Sequence, residues 1–185
     1  SIPPGDYRPR IEHAQVLLPD DIPRFKKLGV LPSMQPIHAT SDMYWAEARL
    51  GPVRTRGAYA WRSLLETGSI IPGGSDFPND GMEPLRGFYA AFTRSDRTGY
   101  PEDGWHREQR MTREEAARCF TQWAAYAGFE EGEKGSIAEG KLADLTVLSN
   151  DIMQVPPKEV LSTQVEMTVV DGRIVYQKPA PALSQ

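Results

Sequence analysis

Gly73-Gly74-Ser75-Asp76-Phe77-Pro78 directly follows the apolar run Ser69-Ile70-Ile71-Pro72, which places a carboxylate where an expected strand ends in a glycine-rich turn. Strand C-termini carry the chemistry in β/α barrels, and small residues ahead of the acid let a ligand or an ion approach the backbone closely. Taken alone, the cluster reads first as a surface turn, because Gly, Ser, Asp and Pro are turn residues for ordinary reasons. Two upstream segments shift that balance. His13 sits in the strand-like stretch Arg10-Ile11-Glu12-His13-Ala14-Gln15-Val16-Leu17-Leu18, and His38 closes a second short run, Val30-Leu31-Pro32-Ser33-Met34-Gln35-Pro36-Ile37-His38. Imidazoles and carboxylates are the groups that move protons near neutral pH and that hold divalent metals.

Such groups meet only if the intervening elements bring their strand ends together. Residues 19–29 read as a short helix, with acids and proline at the start and Gly29 at the end. Residues 56–67 carry Ala58, Trp61, Leu64 and Leu65 at helical spacing, and Gly68 closes that helix. Strand-helix-strand repetition implies an α/β fold with a parallel sheet whose active residues gather at one edge. The expectation is that His13, His38 and Asp76 lie at the C-terminal ends of three adjacent parallel strands and face one pocket.

Residues 79–109 show few apolar periodicities and many turn residues, so they read as a long loop beside that pocket, a kind of loop that is usually functional or mobile. Thr112-Arg113-Glu114-Glu115 is a capping box, and the helix it opens is expected to run to about Ala127 and stop at Gly128. Phe120, Trp123 and Ala127 form its core stripe. Downstream, 143–148 and 164–176 read as strands, the second broken by the hairpin turn Asp171-Gly172.

Taken in order, Ile11-Glu12-His13-Ala14, Ser33-Met34-Gln35-Pro36-Ile37-His38, Tyr59-Ala60-Trp61-Arg62-Ser63-Leu64-Leu65 and Gly74-Ser75-Asp76-Phe77-Pro78 resemble the metal-dependent amidohydrolase superfamily, most closely its N-substituted formamide deformylase-like, YtcJ-like branch. The resemblance continues through Met111-Thr112-Arg113-Glu114-Glu115-Ala116 and Gly135-Ser136-Ile137-Ala138-Glu139-Gly140-Lys141-Leu142-Ala143-Asp144 and covers nearly the whole chain. It implies a (β/α)8 TIM-like barrel with a small flanking β-sandwich. Residues 1–130 would be the C-terminal part of the barrel, about strands six to eight, with the active-site loop at 79–109, and 131–185 the return strands of the sandwich.

The same resemblance assigns His13 as a metal ligand and Asp76 as the catalytic residue that touches the metal and handles the proton. It makes His38 a catalytic and substrate-binding residue that orients or polarises the substrate. Arg94, with Arg97 and Trp105, is expected to meet substrate from the loop. The cofactor implied is a divalent metal, zinc first, with iron, manganese or nickel accepting similar ligands. The activity implied is hydrolysis of a non-peptide carbon–nitrogen bond, amide or formamide-like, through a metal-activated water. Two alternatives stay open: a deaminase or cyclic-amide hydrolase on the same scaffold, and a non-catalytic barrel fragment acting as a binding or assembly partner.

One departure from the family is large. No His-x-His pair occurs, since the histidines are His13, His38 and His106, and His106 lies among charged residues. The sequence therefore reads as the last third or so of an enzyme, inactive alone, whose partner is the N-terminal part of the barrel. An open sheet edge and an uncovered inner face would also invite homo-oligomerisation.

A net charge of −4 with scattered Lys and Arg excludes a general nucleic-acid surface. No apolar stretch is long enough for a membrane span. The segment Ser1-Ile2-Pro3-Pro4-Gly5-Asp6 has neither a charged nor an apolar leader region, which fits a cytoplasmic location. The single cysteine, Cys119, excludes an internal disulfide and reads as a buried structural thiol. Asp144 reads as structural.

Overall fold

The computed structural model describes residues 5–180, so most of the N-terminal segment read above for a leader, residues 1–4, lies outside the described residues. The elements in chain order are β1 (Arg10–Glu12), α1 (Ile22–Leu28), β2 (Leu31–Ser33), α2 (Pro36–Asp42), α3 (Ala46–Arg54), α4 (Trp61–Glu66), α5 (Pro84–Thr93), α6 (Arg113–Cys119), α7 (Gln122–Ala127), β3 (Leu145–Leu148), α8 (Pro157–Val160), β4 (Val165–Val170) and β5 (Arg173–Gln177). The described residues form an α/β structure with two separate sheets. β1 and β2 pair in parallel, with Ile11 opposite Pro32, and α1 crosses over between them. Gly29 ends α1 at φ 66°, where a left-handed residue is needed to turn the chain into β2.

The expected third parallel strand is reduced to a single bridge between Met34 and Gly73. Its backbone explains why. Pro72 has no N–H to donate, and the Gly73 N–H is drawn the other way, to the Cys119 carbonyl at 2.9 Å. The same bond accounts for a second difference from the sequence reading. The helix opened by Thr112 does not run to Ala127 but breaks into α6 and α7 at Thr121, whose φ and ψ are −130° and −90°. In an unbroken helix the Cys119 carbonyl would accept the Trp123 N–H; here it accepts Gly73.

A third difference lies in 79–109. Pro84 starts a helix, α5, whose Gly87, Phe88, Tyr89, Ala90 and Ala91 are buried, so the stretch holds a core element and is not one long loop. Its buried residues run from Gly87 to Ala91, and it packs against both α2 and α6. The core gathers Phe25, Met34, Ala39, Trp61, Leu64, Ile71, Phe88, Met111, Ala116, Cys119 and Val160 around this helix.

Arg94 corrects the sequence reading most directly. It caps α5 in the left-handed region at φ 60° and is fully buried, with no face open to solvent. Its Nη1 donates to the Tyr59 carbonyl at 2.8 Å and its Nε to the Trp105 carbonyl at 2.7 Å. The guanidinium carbon lies 4.3 Å from the Trp61 ring centroid and 5.2 Å from that of Trp105. Burial pushes its pKa down to about 9, so it still carries its charge at neutral pH, held by carbonyls and π faces. Ahead of β1, Arg8 forks onto Glu131 at 2.9 and 2.7 Å, with the Tyr126 ring 3.7 Å and the Phe129 ring 4.2 Å away, which ties the start of the chain to the end of α7.

The second sheet is antiparallel in the order β3-β4-β5, with Asp171 and Gly172 at φ 50° and 72° forming the hairpin turn. β5 is exposed along its length, including Ile174, Val175 and Tyr176. Among the described residues no helix is long and apolar enough to cross a membrane.

Arg94→Ala is expected to lower the unfolding free energy by about 2–4 kcal/mol, from the cavity left and from the two carbonyls that lose their donor. Urea denaturation checks this. A variant as stable as the parent would return Arg94 to the class of dispensable loop residues.

Candidate functional site

Three backbone devices carry the three side chains. β1 ends at Glu12, and the chain then turns sharply through His13 and Ala14, whose φ values of 65° and 39° are unusual for non-glycine residues. The Ala14 N–H closes that turn on the Glu12 carbonyl at 2.8 Å. His13 is thereby thrown across to the turn that follows β2, where its Nδ1 lies 2.8 Å from Gln35 Oε1. Gln35 is the N-cap of α2, with Pro36 preset for the first helical position.

His38 was expected at a strand end but stands in the first turn of α2, because Pro36 starts a helix as soon as β2 has ended. Its backbone N–H donates to the Gln35 carbonyl at 3.0 Å. Its Nε2 is buried without a hydrogen-bond partner, 3.6 Å from Asp76 Oδ2 and 3.8 Å from Asp80 Oδ2. The His13 and His38 rings are tilted by 31° with centroids 5.7 Å apart.

Asp76 follows the Gly73-Gly74 approach and itself adopts φ 59°, its carbonyl accepting the Asn79 N–H at 2.8 Å. Gly73 is required here for space: a Cβ would lie 2.3 Å from Cys119 Sγ. Burial holds the Cys119 thiol pKa well above its usual value, so the sulfur acts as neutral packing against this turn. One potential ligand atom from each of His13, His38 and Asp76 lies within 4.8 Å of the others.

α2 is anchored at its far end as well. Asp42 accepts from the Tyr59 hydroxyl and from Gln15 Nε2, and Gln15 Nε2 also reaches the Tyr59 oxygen at 2.8 Å. Burial, reinforced by the Asp42 carboxylate, raises the Tyr59 phenol far above its ordinary pKa and keeps it a donor. Tyr59 is also the residue whose carbonyl Arg94 holds, so the buried cation supports the site through the helix that carries His38.

Sequence reasoning missed two members of the cluster. Gln35 was quoted within its motif but given no task, although an amide two residues from a strand end and three before a histidine was a usable signal. Asp80 was absorbed into the loop; four residues past Asp76, in the turn sequence Pro78-Asn79-Asp80-Gly81, it left no sign that it would face His38. Of the remaining candidates, Arg97 is exposed beside a cleft of about 250 Å³ that Asp80, Arg86 and Ser41 also line. Trp105 packs edge-on to Tyr59 at 6.0 Å, and His106 lies 3.4 Å from Glu108, so neither reaches the cluster of three. Asp144 accepts the Asp171 N–H at 2.8 Å at the hairpin turn.

With this geometry in place, comparison with known proteins gives consistent matches. The model of the amidohydrolase family matches residues 2–176. Putative amidohydrolase YtcJ of Bacillus subtilis is 34% identical over 177 residues, which is 95% of this chain and 34% of that protein. N-substituted formamide deformylase of Arthrobacter pascens is 32% identical over 117 residues, 63% of this chain and 21% of that enzyme. A crystal structure of a metal-dependent hydrolase from Pyrococcus furiosus superposes with a TM-score of 0.62 at 27% identity, covering 74% of this chain and 27% of that one. The chain thus spans about a third or less of the length of these curated relatives.

Gly73→Ala is expected to cost about 1–3 kcal/mol, because the new methyl meets the sulfur. Adding Cys119→Ala should recover much of that loss, and a double-mutant cycle by chemical denaturation reads the coupling. Additive effects would mean that the two residues do not touch.

Proposed function

The chain belongs to the amidohydrolase family, in its YtcJ-like branch, and from that premise we propose that it forms part of a longer enzyme that hydrolyses non-peptide carbon–nitrogen bonds of an amide or formamide-like substrate. The convergence of His13, His38 and Asp76 within 4.8 Å carries this reading. Imidazole nitrogen and carboxylate oxygen suit a divalent metal, zinc first, with iron, manganese and nickel accepting the same donors. His13 and Asp76 would hold it. When bound, such an ion supplies a Lewis acid that acidifies water and polarises a carbonyl.

The rest of the chemistry falls to this chain's own side chains. Asp76 takes the proton of the attacking water and returns it to the departing nitrogen, which leaves poorly as an anion. His38 Nε2–H donates to the substrate carbonyl oxygen as negative charge develops there. That nitrogen is buried and unpartnered, and the Asp76 and Asp80 carboxylates 3.6 and 3.8 Å away favour the tautomer with its proton on Nε2. Neither acid lies at hydrogen-bonding distance, so the donor remains free for substrate.

In the same reading, residues 1–130 are the C-terminal part of a barrel, about strands six to eight, and 131–185 belong to a flanking β-sandwich. The change from the parallel β1–β2 pair to the antiparallel β3–β4–β5 sheet supports that division. The remainder of the barrel is the partner. Exposed β1, and the open groove of about 590 Å³ between α7 and β3 lined by Phe120, Ala124, Ile137, Leu142 and Leu145, support a face built to be covered.

In the longer enzyme, Asp76→Asn should keep the fold and lose about 10²–10⁴-fold in turnover from general acid–base catalysis alone. Weaker metal attachment would add to that loss. His38→Asn should be milder and should vary with substrate, since its role is to orient and polarise. Steady-state kinetics on metal-replete variants, with metal content measured in parallel, separate the two. Near-normal turnover by the Asp76 variant would sink the mechanism.

A further inference from the structure

The side-chain amide of Gln35 has no part in the chemistry above, yet its residue touches both imidazole arms of the site. Its Oε1 lies 2.8 Å from His13 Nδ1, and its backbone carbonyl accepts the His38 N–H at 3.0 Å. The preceding residue, Met34, is bonded through both its N–H and its carbonyl to the segment that leads to Asp76. Gln35 is itself only 9% exposed, so its amide is held in place by its surroundings and is not a mobile surface group.

A neutral imidazole has one N–H and one lone pair, and the hydrogen bond made by one nitrogen decides what the other offers. His13 follows a left-handed turn that fixes where its ring stands, and its Nδ1 lies 2.8 Å from the Gln35 amide oxygen. An amide oxygen accepts only. It therefore holds the imidazole proton on Nδ1 and leaves the lone pair on Nε2.

We propose that Gln35 is a positioning residue that sets the tautomer of His13, presenting Nε2 as an unprotonated ligand to a divalent cation. The inference rests on the reading of His13 as a metal ligand. Such outer partners orient a ligating histidine and raise its basicity, and their loss typically costs about 10–100-fold in metal affinity. The same residue starts α2, so one side chain and one carbonyl coordinate the ligand His13 with the substrate-facing His38. Placing both imidazoles under one residue fixes their 5.7 Å separation.

The test uses the chain in the metal-free state at about pH 8.5, where an ordinary imidazole is neutral. Long-range ¹H–¹⁵N correlation of the histidine rings reports which nitrogen of His13 carries the proton, with His13→Asn providing the assignment. The parent chain should show the Nδ1–H form. Gln35→Glu, which keeps an acceptor at the same reach, should retain it, with Zn²⁺ affinity equal to or tighter than the parent's. Gln35→Leu should shift His13 toward the Nε2–H form and weaken Zn²⁺ binding by about 10–100-fold.

A role in packing alone would lower stability without moving the tautomer, so the ring spectrum separates the two. An Nε2–H form in the parent chain, or an unchanged spectrum and affinity in Gln35→Leu, would overturn the proposal. If Gln35→Leu fails to fold, the parent and the Glu variant decide it, because both must show Nδ1–H. In the longer enzyme, where the rest of the barrel completes the ligand set, an Nδ1–H parent that binds no Zn²⁺ would reject the metal reading of His13 and with it the ligand role proposed here, while leaving the hydrogen bond itself established.

Discussion

The backbone of Met34 receives and donates one hydrogen bond on the side that faces residues 72–74: its N–H reaches the Pro72 carbonyl at 2.9 Å, and its carbonyl accepts the Gly74 N–H at 3.3 Å. That bridge joins the β2–α2 segment to the turn carrying Asp76, and it sets how far His38 and Asp76 stand apart. It forms only because Gly73 lets the 72–74 segment lie directly on Cys119, with a space too small for any Cβ. Close approach at a glycine, a neutral buried thiol and a helix carbonyl diverted from its own ladder are thus one constraint seen from three sides. The break between α6 and α7 is its cost, and the placement of Asp76 its product.

A second layer is organised by a buried charge. Arg94 is an expensive residue to bury, and it is tolerated because two carbonyls and two indole faces replace its water. The partner it orients most consequentially is Tyr59, a residue at φ 52° whose carbonyl it holds and whose hydroxyl reaches Asp42 at the end of α2. Since α2 begins at Gln35 and carries His38, both ends of the helix are tied to polar groups. Rigidity of this kind is what a reacting group requires, because small misplacements of a donor or a base cost orders of magnitude in rate.

The outer surface follows a different logic. The β1 strand is exposed throughout, and the β3–β4–β5 sheet leaves Val147, Val170, Ile174 and Val175 facing outward. The apolar content of these faces matches the proposal that the rest of a longer chain closes over them, whereas the cluster around His38 is already assembled from residues separated by no more than the 13–80 stretch. Site and scaffold are therefore unequally complete: the acid, the two imidazoles and their polar supports are local, and the enclosure is not.

The residue types and their order were legible from the sequence alone. Two histidines and an aspartate, one within a strand-like stretch and two after short apolar runs, separated by helical segments, are a pattern that ordinary turns do not repeat, and the surrounding motifs were specific enough in combination to identify the amidohydrolase family. Local signals with a one-residue mechanism also read through: Gly29 at the end of α1, the capping box at Thr112, and the Asp171-Gly172 turn. What tertiary structure decided was everything that depends on two segments meeting. Arg94 looks like a loop arginine until Trp61 and Trp105 close on it, α5 becomes a core element by packing against both α2 and α6, and Asp80 gains meaning only from a histidine 42 positions earlier in the chain. Periodicity and turn chemistry act over a few residues, whereas burial and hydrogen-bond competition act through space, and that range is the physical boundary between what this sequence declares and what its fold adds.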